Sequence, residues 1–169
     1  SPRQIVSYVS AHDNYTLWDK LALVAHEDPN YGKRDETVLA QNRLCAGIYL
    51  TCKGLPFMQA GEEFARTKDG VKNSYKSDVQ INRLDWNRAW ENKELVDYYR
   101  GLIALRKQLP GLCDKSAAAG ARVLGIRQKG RDAASIMLDN GADSKYTQLL
   151  LCYNASDKDV PLNLPGGEW

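Results

Sequence analysis

The chain has 169 residues, 43% of them hydrophobic and 26% charged, so it holds enough apolar residues for a buried core. Its 23 basic and 21 acidic side chains nearly balance, whereas a nucleic-acid-binding protein usually carries a basic stripe. A nucleic acid is therefore not expected as a partner. No apolar run approaches the ~20 residues of a membrane-spanning helix, so a membrane is not expected as a partner either. The start of the chain has neither an initiator Met nor a signal peptide, which predicts that it begins within a longer polypeptide or after processing.

Strands and helices alternate in the first part of the chain. Runs rich in β-branched residues predict strands, and apolar residues at helical spacing predict helices. The predicted elements are a strand at 5–11, a helix at about 16–25, a helix at about 35–53 and a strand at 55–60. Such alternation predicts parallel strands with crossover helices, but an eight-stranded barrel needs roughly 250 residues. We therefore expect either a small open sheet or part of a larger barrel.

The middle of the chain, 61–90, is polar and irregular and carries the aromatic residues Tyr75, Trp86 and Trp90. So long an irregular segment inside a compact protein is usually functional. The non-periodic surroundings of Tyr75 favour an exposed ring, while Trp86 and Trp90 are spaced to share one side of a helical turn. A long helix is predicted to follow at about 92–109.

In the last part of the chain, the spacing of the apolar residues changes from that of helices to that of β-strands. Turn residues such as Asn140-Gly141 separate the apolar runs. Four strands are predicted, at 122–127, 134–138, 146–153 and 160–164. This pattern predicts a small antiparallel β domain, so the fold class is α/β plus β.

A polar triplet, His12-Asp13-Asn14, directly follows the first predicted strand. In β/α architectures the ligand side lies at the C-terminal ends of the strands. There the Asp13 carboxylate can stabilise positive charge, and His12 can donate a hydrogen bond to a sugar hydroxyl. The alternative is that an Asp or Asn of the triplet caps the helix that begins near Thr16.

Two adjacent carboxylates, Glu62 and Glu63, follow the second predicted strand. Adjacent strand residues face opposite sides, so both can point into one cleft only if the chain bends there. The composition of the segment predicts that one of them pairs with Arg66 or Lys68. Trp18 is one of the apolar residues that recur at helical spacing in the helix at about 16–25, and it is predicted to lie in the core.

The sequence contains no nucleophile elbow, phosphate-binding loop, dinucleotide fingerprint or zinc pattern, and no cofactor is expected. Its cysteines are predicted to be buried free thiols, which favours a reducing, cytoplasmic compartment. They are Cys45, Cys52, Cys113 and Cys152.

Three ordered stretches resemble the α-amylase superfamily, glycoside hydrolase family 13, in the form typical of type I pullulanases. Tyr8 to Leu21 resembles the family's strand-seven motif, and Gly54 to Phe64 resembles its strand-eight motif. The third stretch resembles the loop that follows strand eight. It consists of Arg66-Thr67-Lys68, Asn73-Ser74-Tyr75 and Asn82 to Trp86.

The resemblance implies roles for individual residues. Asp13 matches the aspartate that stabilises the oxocarbenium-like transition state, and His12 matches the histidine that hydrogen-bonds the same sugar. Asn14 and Tyr75 match positions near the substrate. Glu63 matches a framework carboxylate that takes no part in catalysis.

The resemblance also implies a fold. Residues 1–112 would form the C-terminal portion of a catalytic (β/α)8 barrel, and 113–169 a truncated, small antiparallel β-sandwich domain. The two barrel strands would lack neighbours, and unpaired strand edges invite association. The expected protein partners are the missing N-terminal part of the same enzyme or a second copy of the fragment.

The activity implied for the parent enzyme is cleavage of α-1,6-glucosidic branches in pullulan, starch or glycogen with retention, so an α-glucan polysaccharide is the expected ligand. Retaining glycosidases need two carboxyl groups about 5 Å apart, and in this family they follow strands four and five, upstream of this chain. The fragment alone is therefore expected to be inactive, and calcium elsewhere in the parent is left open. The alternatives are a glucan-binding module without catalysis, or part of an α-1,4-acting amylase or a branching enzyme.

Overall fold

The computed structural model describes residues 2–169. Short 3-10 helices lie at Pro2–Gln4, Glu62–Phe64 and Ala117–Arg122. The other elements are β1 (Val6–Ser7), α1 (Leu17–Ala25), α2 (Glu36–Thr51), β2 (Leu55–Pro56), α3 (Val79–Asn82), α4 (Trp86–Glu91), α5 (Lys93–Gln108), α6 (Pro110–Cys113), β3 (Val123–Lys129), β4 (Ala133–Asp139) and β5 (Gln148–Asn154). None of the helices in residues 2–169 has the length and apolar character to cross a membrane.

Helices α1 and α2 begin at side-chain caps. The Thr16 hydroxyl accepts a hydrogen bond from the Asp19 N–H at 3.1 Å, and the Asp35 carboxylate accepts one from the Val38 N–H at 2.9 Å. Each cap satisfies a donor that has no partner within the first helical turn. The predicted helices near 16–25 and 35–53 are thereby confirmed, within the usual uncertainty at helix ends.

The turn from α2 into β2 is held by Arg106 of α5. Its guanidinium donates to the carbonyl groups of Leu50, Cys52 and Gly54 at 2.7–2.8 Å, which satisfies acceptors at the helix end. Gly54 has φ +98°, and a Cβ atom there would come within 2.6 Å of the Ile5 carbonyl oxygen. The turn therefore requires glycine at position 54.

Strands β1 and β2 pair in parallel, with Val6 opposite Leu55 and Ser7 opposite Pro56. Parallel pairing is what the alternation of strands and helices predicts. The strands are much shorter than the predicted runs 5–11 and 55–60, although the Leu55 and Phe57 N–H groups still donate to the Ile5 and Ser7 carbonyl groups at 2.9 Å. Beyond this pairing, the Val9 carbonyl accepts a hydrogen bond from the Lys20 ammonium of α1 at 3.0 Å.

One surface of this strand pair is open. Ile5, Val6, Tyr8 and Phe57 are each exposed, and the rings of Tyr8 and Phe57 meet edge to face at 6.0 Å. Association with a preceding part of a longer chain or with a second copy therefore stays a prediction.

The core lies where α1, α2 and α5 meet. Trp18 is 2% exposed, which confirms its predicted place in the core. Its indole N–H donates to the Tyr31 carbonyl at 2.9 Å, and the Arg88 guanidinium lies 5.0 Å from the ring centroid. Its buried neighbours include Ala22, Val38, Leu39, Ala46, Tyr49, Leu50, Leu95 and Tyr99.

The C-terminal part forms one antiparallel sheet in the order β3-β4-β5, which confirms the first three predicted strands. The fourth predicted strand, at 160–164, is wrong: the structure has no strand there. Pro161 has no N–H to donate to a ladder, and its carbonyl accepts a hydrogen bond from the Lys129 ammonium at 2.5 Å. The sheet contacts the helical part at Tyr153, whose hydroxyl lies 2.5 Å from that of Thr51.

The cysteines are free in the described part of the chain. Cys152 is exposed and the other three are partly buried, so the prediction of buried thiols is wrong for Cys152. The reason is its position on the outer face of β5, where it lines an open groove of about 600 Å³.

Candidate glucan-binding site

The polar triplet lies on an exposed loop between β1 and α1. The side chains of His12 and Asp13 are 88% and 85% exposed, and His12 Nε2 lies 3.4 Å from Asp13 Oδ2. The structure thus brings together an accessible carboxylate and an accessible imidazole. This pair can accept and donate hydrogen bonds to a polar ligand such as a sugar.

Asn14 gives the loop its turn. It has φ 70°, in the left-handed region, and its side-chain oxygen accepts a hydrogen bond from the Tyr15 N–H at 2.9 Å. Asparagine tolerates this conformation better than most residues. The alternative that an Asp or Asn of the triplet caps α1 is wrong, because Thr16 occupies the cap position.

A buried carboxylate, Glu62, lies beneath the loop. It is 4% exposed and accepts hydrogen bonds from the Ser10 hydroxyl at 2.5 Å and the Tyr99 hydroxyl at 3.1 Å. Asn42 donates in turn to Tyr99 at 2.9 Å. Burial raises the pKa of Glu62, while the hydrogen bonds from Ser10 and Tyr99 act in the opposite direction. This network ties the end of the first strand region to α2 and α5.

Of the two adjacent glutamates, Glu62 is the buried one, and the framework role that the resemblance implies for Glu63 stays a prediction. Residues 62–64 form a 3-10 helix, which turns adjacent side chains to different sides. Glu63 is only half-buried, and its carboxylate accepts the Gly61 N–H at 3.0 Å. The two carboxylates therefore do not form a paired acidic site.

The predicted pairing of a glutamate with Arg66 or Lys68 is also wrong within residues 2–169. The reason is that both cations bond to backbone carbonyl groups. Arg66 donates to the carbonyl groups of Ala60 and Asn82, and the Lys68 ammonium donates to that of His12 at 3.1 Å.

Asp19 of α1 anchors the segment that carries Lys68. This carboxylate is 0% exposed and accepts hydrogen bonds from the Thr67 hydroxyl at 2.5 Å and the Lys68 N–H at 2.9 Å. The sequence did not predict the burial of Asp19 or of Lys68. Both residues lie inside the motifs that carry the resemblance, but a charged residue in such a motif gives no sign of burial.

Tyr75 lies on a separate loop, and its ring is 73% exposed, as its surroundings predict. The Lys76 ammonium lies 5.3 Å from the ring centroid. Trp86 and Trp90 of α4 are 68% and 79% exposed, and Trp86 packs against Phe64 with ring centroids 5.7 Å apart. Within the described residues, Tyr75 makes no hydrogen bond or ring contact with the triplet, so the structure does not join it to His12 and Asp13.

The known proteins that are similar to this chain are pullulanases and glycogen debranching enzymes. No family model matches the chain. The pullulanase of Bacillus subtilis (strain 168) is 38% identical over 165 residues, which cover 97% of this chain and 22% of that protein. The glycogen debranching enzyme of Yersinia enterocolitica is 24% identical over 199 residues, covering 99% of this chain and 30% of that enzyme.

A solved structure gives the same result. The crystal structure of pullulanase type I from Bacillus subtilis str. 168, complexed with maltose, matches with a TM-score of 0.87 and 36% identity. The match covers 98% of this chain and 23% of that chain. The chain therefore spans less than a third of the length of each of these relatives.

Proposed function

Because this chain belongs with the type I pullulanases, we propose that it supplies part of the glucan-binding face of an enzyme that cleaves α-1,6-glucosidic branches in pullulan, starch or glycogen. The observation that carries the proposal is the exposed His12–Asp13 pair on the loop after β1. The names of the relatives, pullulanase and glycogen debranching enzyme, favour this function over an α-1,4-acting amylase or a branching enzyme.

The proposed fold of the parent places residues 1–112 in the C-terminal portion of a (β/α)8 barrel and 113–169 in a β domain. The parallel β1–β2 pair with its flanking helices supports the first assignment, and the antiparallel sheet β3-β4-β5 supports the second. In such a barrel, loops at the C-terminal ends of the strands carry the active site. The triplet at 12–14 lies on a loop of this kind.

The proposed role of Asp13 follows from the chemistry of glycoside hydrolysis. Breaking the glycosidic bond places positive charge on the anomeric carbon and the ring oxygen of the sugar. A carboxylate fixed beside that ring stabilises the charge as it develops, and therefore lowers the barrier rather than only improving binding. Asp13 supplies the carboxylate, and His12 donates a hydrogen bond to a hydroxyl of the same ring.

Asn14 and Tyr75 are proposed to contact the rest of the glucan. The amide of Asn14 can bond to sugar hydroxyls, and the exposed ring of Tyr75 offers an apolar face on which a sugar can stack. The nucleophile and the acid/base are assigned to other parts of the parent enzyme. The present segment orients the sugar and stabilises the charge that develops on it, and the other parts supply the groups that react.

Digestion of pullulan by the full-length enzyme tests the proposed activity. Pullulan consists of maltotriose units joined by α-1,6 linkages, so cleavage of those linkages releases maltotriose as the end product. Chromatography of the digest should show maltotriose. Panose or isopanose as the main product would indicate α-1,4 cleavage, and binding of pullulan without any product would indicate a binding module.

A further inference from the structure

Lys68 is a buried lysine whose ammonium reaches the loop that carries the proposed glucan-binding pair. It is 4% exposed, and its Nζ donates to the His12 carbonyl oxygen at 3.1 Å, across 56 residues of sequence. Within residues 2–169 the ammonium forms no salt bridge to a carboxylate. A buried ammonium is costly unless hydrogen bonds compensate for the lost water, so this contact with the loop is a specific feature of the fold.

The carbonyl group that Lys68 holds belongs to the peptide unit between His12 and Asp13. A peptide unit is planar, so fixing its oxygen also fixes the direction of the Asp13 N–H and the position of the Asp13 Cα atom. The side chains of His12 and Asp13 are themselves almost fully exposed. The hydrogen bond from Lys68 therefore restrains the backbone at the point where these two side chains branch from it.

The lysine itself is anchored at its backbone. Its N–H donates to the Asp19 carboxylate at 2.9 Å, and the Thr67 hydroxyl donates to the other oxygen of that carboxylate. Asp19 is fully buried in α1, the helix that the loop enters. The loop, the helix and the segment after β2 are thus joined by a short chain of hydrogen bonds. Burial and the charge of Arg66 lower the pKa of Lys68, while the charges of Asp19 and Asp13 raise it.

We propose that Lys68 is a positioning residue for the hydrolytic reaction: its ammonium holds the His12–Asp13 peptide so that the Asp13 carboxylate faces the sugar. This inference rests on the proposed function, since it gives Lys68 a role only through Asp13. A misplacement of about 1 Å in a reacting group lowers rates by as much as ~10²-fold. Loss of the ammonium is therefore expected to lower kcat on the order of 10²-fold, with a much smaller change in KM.

A double-mutant cycle in the full-length enzyme tests this role with pullulan as substrate. The variants are Lys68→Met, Asp13→Asn and the double variant, and kcat and KM are measured per mole of folded enzyme. If Lys68 acts through Asp13, Lys68→Met should lower kcat on the order of 10²-fold in the wild type but less than about threefold in Asp13→Asn. Lys68→Arg should restore most of the activity, because a guanidinium can donate to the same carbonyl.

Lys53→Met is the matched control. The Lys53 ammonium also donates to a distant backbone carbonyl, that of Gly111, and burial also lowers its pKa. It lies in the turn between α2 and β2 and reaches α6, and it makes no hydrogen bond with the triplet, so Lys53→Met should change stability without changing kcat per folded enzyme. If Lys68→Met does not fold by circular dichroism, Lys68→Gln takes its place in the cycle.

The outcomes separate the two proposals. Equal losses from Lys68→Met in the wild type and in Asp13→Asn, or a kcat unchanged by Lys68→Met as in Lys53→Met, would overturn the positioning role and leave the function of Asp13 intact. A kcat within about threefold of wild type for Asp13→Asn would overturn the assignment of Asp13, and with it the role of Lys68.

Discussion

Substitution of Asp13 by asparagine in the full-length enzyme is expected to lower kcat on pullulan by about 10³-fold, or ~4 kcal/mol in the activation barrier. The change keeps the size of the side chain and removes its negative charge. The exposed carboxylate would face a sugar ring that becomes positively charged as the bond breaks. Its interaction is stronger in the transition state than in the bound substrate, so KM should change much less than kcat. Steady-state kinetics with pullulan give both constants.

The control for this experiment is Thr16→Ala, which removes the cap of α1 just beyond the loop. Losing a helix cap lowers stability by about 1 kcal/mol, and kcat per folded enzyme should stay near the wild-type value. Asp13→Asn should leave the melting temperature unchanged, because Asp13 is exposed and does not cap the helix. If Asp13→Asn kept a rate within about threefold of wild type, Asp13 would have no part in catalysis.

The purified 169-residue chain is expected to release no reducing sugar from pullulan. Hydrolysis with retention needs a nucleophilic carboxylate and an acid/base about 5 Å apart, and the parts of such a group contribute little separately. The carboxylates near the triplet are not available for these roles. Glu62 is buried beneath Ser10 and Tyr99, and Asp19 is occupied by Thr67 and Lys68.

A reducing-sugar assay with the full-length enzyme at the same molar concentration is the control for the isolated chain. Sugar release by the chain well above the blank would show that a complete catalytic group lies within these 169 residues. The assignment of the nucleophile and the acid/base to other parts of the parent enzyme would then be wrong.

Local sequence patterns were enough to predict the longer elements of this fold. The helical spacing of apolar residues in α1, α2 and α5 and the alternation in β3, β4 and β5 depend on neighbours along the chain. The short helix α3 was missed because it consists of few residues, and α4 was anticipated only as a helical turn carrying Trp86 and Trp90. They begin at the caps Asp78 and Asp85, which resemble ordinary loop residues in the sequence.

Elements that depend on distant partners were harder to predict. Strand β1 ends at Ser7, and the Val9 carbonyl bonds to the Lys20 ammonium and not to a neighbouring strand. The sequence pattern predicts that Glu62 and Glu63 follow the end of a strand. They lie instead in a 3-10 helix, in which Glu62 is the buried carboxylate. The burial of Lys68 depends on a hydrogen bond to a residue 56 positions away, and no local pattern contains that information.

The exposed parts of the candidate site followed from the sequence more readily. His12 and Asp13 come directly after an apolar run, and their exposure agrees with a loop at the end of a strand. Tyr75 was predicted to be exposed from its polar surroundings, and it is. What holds the loop in place, Asp19 and Lys68, became visible only in three dimensions.

A crystal structure of the full-length enzyme with a malto-oligosaccharide bound across the cleavage site tests the central claim, that the loop at 12–14 faces the sugar ring whose bond is broken. We predict that the Asp13 carboxylate and the His12 imidazole each lie about 2.7–3.2 Å from hydroxyl oxygens of one and the same ring. A complex in which the glucan fills the cleft while neither side chain contacts a sugar would contradict the account.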